Sequence, residues 1–425
     1  MRFCFQRIGS ERGKCKVEKV SRYLLVFIAI LTLAIILPRL YWMAFEKPVR
    51  KPFILYSCIN DDFMIHRISE KTWEDTKGQQ YTREEYEQKL PMMFLKQLLA
   101  SGTMPDSVNG VKLDMRDIAR EKSFFRLKAN EIDAPAPALY PLFESQSGRS
   151  MLDLPDDFFR ITWRIEFIDA ATNMVLEEKS QLFSATLFQY GFSFPAKTIS
   201  GLATPRKSVD EGYLIVDAKD QLFHLKMIKG KPYVKTINVP EGLKFKYISC
   251  VDFKNKDFYA YLFSDKNEIY ILTQGDYQFI KWPVDGFEAS NCDLKIYGDL
   301  FNYTVVIEAK DHIKAIALSS GYHVINTYSE TWKLKEEQTE GKIFASLFPA
   351  LVSMTSDDSK FIRFYFVPSK GWNWVLFNFV LVAFHFIWLY RRKAKLKNHL
   401  ADLGIVAVSG IFGFIAVHVF PGSLN

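Results

Sequence analysis

The chain has 425 residues, of which 48% are hydrophobic and 15% aromatic, so it has enough core material for one large or two medium domains and is not disordered. Its formal net charge of +7 is unevenly placed: residues 1–45 carry +6, residues 371–425 carry +4, and residues 46–370 carry about −3. Because the basic residues lie beside apolar runs, the charge excludes a nucleic-acid-binding surface and indicates a membrane protein.

The first predicted element is a membrane anchor. A basic N-terminus, residues 1–22, precedes a predicted transmembrane helix over residues 23–45. The uncharged stretch Leu24–Leu37 is shorter than the roughly 20 residues that cross a bilayer, so the span is extended past Arg39, whose side chain can reach the interface. No small-x-small cleavage site follows, which favours an uncleaved anchor, with a cleaved signal peptide as the alternative.

Residues 46–370 are predicted to form a mainly β domain outside the membrane. Its first part contains two segments interpreted as strands, Phe53–Cys58 and Arg160–Asp169. Met174–Lys179 is interpreted as the strand that returns from the second of these, after a polar turn. The sequence therefore predicts sheet material well before the repeats described below.

A small helical insertion is predicted at about 82–101. Thr82 and Glu85 have the spacing of a capping box, and a Ser-Gly pair follows the last apolar residue. Pro91 lies inside the pattern and is expected to kink the helix or to divide it in two.

Three similar segments recur between about 212 and 330. Each has an apolar strand, a polar turn and a second strand, followed by a third strand; the segments begin at Tyr213, Tyr259 and Tyr303, and their turn residues are Asp220, Asn267 and Asp311. This length and content are typical of propeller blades, so a propeller-like domain is predicted, with a stacked β-sandwich as the alternative. Whether the repeats close into a full propeller stays open.

Two further transmembrane helices are predicted, over residues 372–390 and 403–420, joined by a basic loop at 391–402. Cytoplasmic loops of membrane proteins are rich in Lys and Arg. The basic N-terminus and the basic loop are therefore both placed in the cytoplasm, the large domain outside, and the tail at 421–425 outside as well.

The third predicted span is rich in small residues, which allow close approach of helices. The residues predicted to pack against another helix are Gly404, Ser409, Gly410 and Gly413. The packing partner is the second span or a helix of another protein. His385 and His418 are expected near opposite ends of their spans, which excludes a haem bound between them.

Five cysteines divide by the predicted topology, with Cys4 and Cys15 on the reducing side and Cys58, Cys250 and Cys292 outside. Cys250 and Cys292 are 42 residues apart, close to one repeat, so a disulfide between them is considered but is not implied by spacing alone.

Sequence motifs of catalysis and of metal or cofactor binding are absent. The chain has no Cys-x-x-Cys, His-x-x-x-His, Gly-x-Ser-x-Gly, P-loop or dinucleotide fingerprint. Asp61, Asp62 and His66 could supply ligands to a cation, but a solvated turn is the favoured interpretation. No catalytic residue, metal or cofactor is predicted.

Several segments resemble an uncharacterised family of bacterial envelope proteins, known only as a domain of unknown function. They are Tyr81–Tyr86, Lys89–Phe94, Gly102–Gly110, Tyr140–Arg149 and Leu154–Ile161. The resemblance covers most of the large domain. It implies a protein of the bacterial plasma membrane and an association with ABC transporter components, and it supplies no active-site residues.

The leading hypothesis is a non-enzymatic, membrane-anchored accessory or binding protein of a bacterial envelope complex. Its expected partners are membrane lipid and a membrane protein. A membrane subunit of a transporter is the first alternative, and an extracytoplasmic hydrolase is the second.

Overall fold

The structure is a computed structural model that describes residues 2–47, 49–207, 209–353, 360–361, 363–369 and 371–422, with side chains from residue 17 onward. The chain divides into two compact units. The helical unit comprises residues 1–49 and 332–425, and the β unit comprises residues 50–331.

The helices of the described residues are named in chain order. They are α1 (Arg2–Phe45), α2 (Arg83–Lys89), α3 (Leu95–Ser101), α4 (Met115–Glu121), α5 (Ala129–Ile132), α6 (Glu177–Gln189), α7 (Thr339–Leu347), α8 (Asn373–Arg391), α9 (Leu400–Ser409) and α10 (Ile411–Val419). A 3₁₀ turn at Leu396–Asn398 precedes α9.

The strands are named in the same way. They are β1 (Phe53–Ser57), β2 (Asp62–Arg67), β3 (Thr72–Asp75), β4 (Gln80–Tyr81), β5 (Ser107–Val108), β6 (Val111–Lys112), β7 (Ser123–Leu127), β8 (Tyr140–Pro141), β9 (Asp157–Ile161), β10 (Ile165–Asp169), β11 (Thr198–Gly201), β12 (Tyr213–Val216), β13 (Leu222–Ile228), β14 (Lys231–Ile237), β15 (Phe245–Cys250), β16 (Phe258–Ser264), β17 (Ile269–Thr273), β18 (Phe279–Lys281), β19 (Asp293–Gly298), β20 (Asn302–Glu308), β21 (His312–Ser319), β22 (Val324–Thr331), β23 (Ala350–Ser353) and β24 (Tyr365–Pro368).

Antiparallel sheets form most of the β unit. Their strand orders are β1-β2-β3-β4, β8-β9-β10, β11-β12-β13-β14, β15-β16-β17-β18 and β7-β19-β20-β21-β22. Successive sheets share cores, as where Leu214 of β12 packs with Ile248 of β15 and Leu262 of β16. The first and last of these sheets are also in contact: the Tyr56 amide of β1 donates a hydrogen bond to the Thr304 hydroxyl of β20 (3.1 Å). The predicted mainly β, propeller-like domain is confirmed.

The repeat prediction succeeded because its signals are local. Alternating apolar strands flank turns at Asp220 and Asn267, whose φ angles of 64° and 62° suit residues that tolerate the left-handed region. The predicted repeats nevertheless began one strand too late, because they did not include β11, β15 and β19. Each carries Ser, Thr, Lys or Asp among its apolar residues and reads poorly as a strand by itself.

Arg160–Asp169 is not one strand but the hairpin β9–β10. The predicted return strand is confirmed only in its first half, where Val175 bridges Ile168 of β10 in antiparallel fashion, and it ends at Leu176. The chain then enters α6 at Glu177. Ser180, Phe183 and Leu187 are fully buried on one side of this helix, a spacing of three to four residues that a strand cannot satisfy. The Ser180 hydroxyl also accepts the Phe167 amide of β10 (2.9 Å).

The predicted helical insertion forms α2 and α3. Thr82 and Glu85 make the reciprocal capping-box bonds at the start of α2, and Gly102 ends α3 in the left-handed conformation. Pro91 lies in the turn between the two helices.

In the helical unit, two helices of the described residues are long and apolar enough to cross a membrane, Val17–Phe45 and Asn373–Arg391. The prediction of a third spanning helix is wrong, because residues 400–419 form two short helices, α9 and α10. Gly410 joins them with φ 58° and ψ −131°, a backbone conformation nearly restricted to glycine. A Cβ there would also collide with the Asn378 side chain of α8.

The two short helices reverse direction, so that α10 returns to the level at which α9 begins. Val26 of α1 packs with Ala416 and Val417, and Ala34 of α1 packs with Phe412. At the far end, the Arg22 guanidinium of α1 donates to the Phe420 carbonyl (2.8 Å). We call α9 and α10 with their Gly410 turn the helical hairpin.

Candidate functional site

A cavity of about 330 Å³ in the β unit has the geometry of a binding pocket, with a volume within the range of small-molecule sites. Segments far apart in sequence enclose it: the end of β1, the turn after α2, the start of β7, the end of β19 and the start of β20. We call it the β-unit cavity.

Local sequence explains how its rim is formed. Helix α2 stops at Leu90 because Pro91 follows, and a proline disfavours helical geometry in the residue before it. The Ser57 hydroxyl at the end of β1 donates to the Lys89 carbonyl (2.6 Å), one of the acceptors left free at a helix end. The turn that carries Pro91, Met92 and Met93 thereby borders the cavity.

Close approach of two strands shapes the opposite side. A Cβ at Gly298, at the end of β19, would collide with the Ser123 hydroxyl of β7 and the Tyr303 ring of β20. Only a residue without a side chain therefore lets these three strands meet beside the cavity.

Most of the lining is apolar. The main contributors are Phe53, Leu55, Leu90, Met92, Phe124 and Tyr297. The Tyr297 ring lies edge-on to Phe53 (5.8 Å between centroids) and 5.0 Å from Phe124, so three aromatic rings form one continuous wall. Phe124 remains 53% exposed, which leaves part of this wall open to an incoming molecule.

A few polar groups converge on the cavity: Cys58, Lys89, Lys122 and Asp299. One oxygen of Asp299 accepts the amides of Phe301 (2.8 Å) and Asn302 (3.0 Å). Burial nevertheless raises the pKa of this carboxyl, because the charged form is desolvated. The Lys122 ammonium donates weakly to the Met92 carbonyl at 3.4 Å.

Cys58 is not arranged as a nucleophile. Burial, followed by the charge of Asp299, raises the pKa of its thiol to about 12, whereas a reactive cysteine needs a lowered pKa. No histidine lines the described walls of the cavity to act as a base. The arrangement of an apolar wall with a few polar groups is suited to binding.

The four residues predicted to pack helices all lie in the helical hairpin. A Cβ on Gly404 would meet open space, whereas one on Gly413 would collide with the Ser409 hydroxyl. Ser409 donates to the Ile405 carbonyl within its own helix (2.6 Å), and Gly410 faces Asn378 of α8. Gly410 and Gly413 thus lie at close contacts inside this chain.

The expected separation of His385 and His418 is wrong. Their rings lie 5.0 Å apart, because α10 turns back toward the level at which α9 starts. His385 is 2% exposed, and neither of its ring nitrogens has a hydrogen-bond partner among the described residues. Asn378 is similarly buried and donates to the Ala407 carbonyl (3.0 Å).

Cys58, Cys250 and Cys292 are free thiols in the structure, so the disulfide considered between the last two is not present. Cys250 donates to the Ser200 carbonyl (3.2 Å), while Cys292 belongs to a different core. The side chains of Cys4 and Cys15 lie outside the described residues.

The acidic turn considered as a cation site has other partners. Asp62 accepts the Thr76 hydroxyl (2.6 Å) and the Phe63 amide (2.7 Å), and His66 stacks on Trp73. Within the described part of the chain, no group of three or more His, Cys, Asp or Glu side chains could hold a metal ion.

Sequence reasoning missed the β-unit cavity. Lys89, Lys122 and Asp299 are separated by 33 and 177 residues, and no local pattern joins them. The available signal was weaker: Pro91, Met92 and Met93 form an apolar run directly after the Lys89 end of α2.

Comparisons with known proteins give a family without a function. A family model described as a domain of unknown function (DUF4857) matches residues 53–318. No curated protein matches the chain at a significant level.

Three solved structures resemble part of the chain, each at 10% identity. The Dos1 propeller gives a TM-score of 0.27, with 46% of this chain and 49% of that chain covered. PorZ, a surface component of the type-IX secretion system of Porphyromonas gingivalis, gives 0.22, with 67% and 28% covered. The dihydro-heme d1 dehydrogenase NirN gives 0.22, with 54% and 57% covered. The chain spans less than two thirds of each, and similarity at this level carries no functional argument.

Proposed function

Since this chain belongs to the DUF4857 family, whose function is unknown, we propose from its own geometry that it is a non-enzymatic, membrane-anchored binding protein of the bacterial envelope. In this proposal the β-unit cavity receives a small ligand, and the helical unit holds the protein in the membrane. The observation that carries the proposal is the cavity, with its open aromatic wall and few polar groups.

The helical unit supports the membrane part of the proposal. Along α8, Leu376, Phe379 and Phe384 are all more than 60% exposed, and such a surface is suited to lipid. The helix ends at Arg391, followed by Arg392 and three lysines. We place this basic end and the N-terminus of α1 in the cytoplasm, and the β unit outside, by the preference of cytoplasmic loops for positive charge.

A partner in the membrane is a further part of the proposal. Association with ABC transporter components stays a prediction from the family resemblance. Affinity purification of the full chain in mild detergent followed by mass spectrometry tests it. Recovery of transporter subunits supports the association, and recovery of the chain alone contradicts it.

A second candidate function, a membrane subunit of a transporter, is favoured by one observation. Asn378, His385, His399 and Asp402 are all at most 3% exposed inside the helical unit. Asn378 and His385 lie within α8, and polar side chains within membrane helices are costly and often mark transport pathways. The hydrolase alternative gains no such support, because Cys58 has a raised pKa and no base beside it.

Photo-labelling tests the binding function. The full chain in detergent is labelled with an uncharged, diazirine-bearing hydrocarbon probe, and labelled peptides are mapped by mass spectrometry. We expect labels on peptides that contain Leu55, Met92 and Tyr297, because these residues line the cavity.

A matched pair of variants localises the labelling. Met93→Trp enlarges a side chain at the mouth of the cavity that is 38% exposed, whereas Met151→Trp makes the same change at a 57% exposed position outside the lining. The first substitution should reduce cavity labelling severalfold, and the second should leave it unchanged. Labelling that is insensitive to Met93→Trp contradicts the proposed function.

A further inference from the structure

We propose that the ligand of the β-unit cavity is a single-chain amphiphile with an acidic head group, whose chain lies on the aromatic wall and whose head group meets Lys89 and Lys122. This inference rests on the proposed function, because it names the ligand class of the same cavity. Three features of the lining support it.

The first feature is the separation of apolar and charged groups. Phe53, Phe124 and Tyr297 form a continuous wall without a charged residue of their own. Lys89 and Lys122 instead lie next to the turn after α2, Lys89 at the end of that helix and Lys122 within reach of the Met92 carbonyl. A molecule with one apolar part and one charged part matches this division.

The second feature is that both lysines are available to a ligand. The buried acid of α2, Glu87, pairs with Arg83 (2.8 Å), and Glu121 next to Lys122 pairs with Arg120 (2.9 Å). Among the described residues, neither Lys89 nor Lys122 forms an ion pair with a carboxylate. An acidic head group would therefore meet two ammonium groups without displacing a carboxylate, and Lys122 would give up only its weak bond to the Met92 carbonyl (3.4 Å).

The third feature is the state of the acid in the cavity. Asp299 already accepts two backbone amides through one oxygen, and burial raises the pKa of its carboxyl. The two amides occupy one oxygen and burial disfavours the charged form, so this carboxyl is a weaker partner for a cationic ligand than a solvated carboxylate would be. The charge balance of the polar groups thus favours an anion over a cation.

The test compares three photo-labelling probes with the same diazirine-bearing chain: a fatty acid, its neutral amide and its trimethylammonium analogue. The full chain in neutral detergent is labelled over a concentration series, and label on the cavity peptides is quantified. We expect the fatty acid to half-saturate the cavity at a concentration about tenfold below that of the neutral amide. The trimethylammonium probe should bind more weakly than either.

Variants show whether the two lysines cause the difference. Lys89→Gln with Lys122→Gln should bring the fatty acid to the level of the neutral amide and leave the neutral amide unchanged. The control, Lys96→Gln with Lys112→Gln, removes the same charge at two exposed positions outside the lining and should have no effect. Retained labelling by the neutral amide shows that each variant is folded.

The outcomes separate the two proposals. Equal half-saturation by fatty acid and neutral amide, or preference for the ammonium probe, overturns the acidic head group and leaves the binding function standing. Absence of cavity labelling by all three probes overturns the binding function itself. Competition experiments identify the source of the acidic ligand. Competition by unlabelled fatty acid indicates a free amphiphile. Competition by nanodiscs of phosphatidylglycerol, but not by nanodiscs of phosphatidylcholine, indicates an acidic lipid taken from a bilayer.

Discussion

The Arg22 guanidinium lies 2.9 Å from the Asp402 carboxylate, joining α1 to the first turn of α9 across 380 residues of sequence. The same guanidinium donates to the carbonyl of Phe420, directly after α10. His399 also contacts Asp402 (3.1 Å). Arg22 therefore binds both the start of α9 and the end of α10, the two ends of the helical hairpin.

We expect Arg22→Gln to destabilise the helical unit by about 2 kcal/mol, because the Asp402 side chain is 2% exposed and would lose its cationic partner. Removing both charges, with Arg22→Gln and Asp402→Asn together, should cost less than the single change. Thermal melting of the full chain in detergent measures both. Arg39→Gln, at an exposed position of α1, is the control, and an equal loss there would contradict the role of the pair.

Gly410→Ala should destabilise the helical hairpin by about 1 to 3 kcal/mol, since alanine is strained at this positive φ and its Cβ would collide with Asn378. Gly404→Ala is the matched control in the same hairpin. A Cβ there meets open space, so it should be neutral or stabilise by about 0.5 to 1 kcal/mol. Equal melting temperatures for the two variants would contradict the claim that the turn between α9 and α10 requires glycine at position 410.

The position of Phe420 beside Arg22 bears on where the chain's C-terminus lies. With the N-terminus of α1 in the cytoplasm, we expect a green fluorescent protein fused to the C-terminus to fluoresce and an alkaline phosphatase fused there to be inactive. A phosphatase fused after Ser369, ahead of α8, should be active outside. An active phosphatase at the C-terminus would contradict this expectation and would support the third membrane crossing that the sequence predicted.

Asp299→Asn should raise the melting temperature at neutral pH. Burial raises the pKa of Asp299 above the value of 3.8 of an ordinary aspartate, so the folded state holds this proton at pH values at which the unfolded state has lost it. The free energy of unfolding therefore falls as pH rises through that window, and the penalty is fully present above the raised pKa. Asparagine carries no charge and keeps the oxygen that accepts the amides of Phe301 and Asn302.

Over the range from about pH 8 to about pH 4, the difference between Asp299→Asn and the unchanged chain should shrink as the pH falls through the raised pKa of Asp299, and it should vanish near the ordinary value of 3.8. Melting curves across this range measure it. Asp133→Asn, at an exposed position of the β unit, controls for the loss of a surface charge. A stabilisation that does not change with pH would show that burial of the Asp299 charge is not its cause.

Local signals explain which parts of the fold the sequence predicted. The turn residues Asp220 and Asn267, flanked by alternating apolar strands, and the capping box at Thr82 are readable within a few residues. The break at Gly410 is not, because an uncharged apolar run reads as one helix and the turn depends on contact with Asn378 of α8. Helix α6 was missed because its polar start resembles the end of a strand.

The candidate site is a tertiary property in the same sense. Lys89, Lys122 and Asp299 line one cavity only because the ends of β1, β19 and α2 lie beside the start of β7. Sequence alone gave no reason to connect them. The aromatic wall was equally hidden, since Phe53 and Tyr297 belong to the first and last sheets of the β unit.

The central claim is that the β-unit cavity holds a small amphipathic molecule. Native mass spectrometry of the full chain, purified from bacterial membranes in mild detergent, tests it most directly. We expect a bound species of small mass on the unchanged chain and on Met151→Trp, and its loss on Met93→Trp. A spectrum with only the bare chain, or a bound species that persists in Met93→Trp, would contradict the claim.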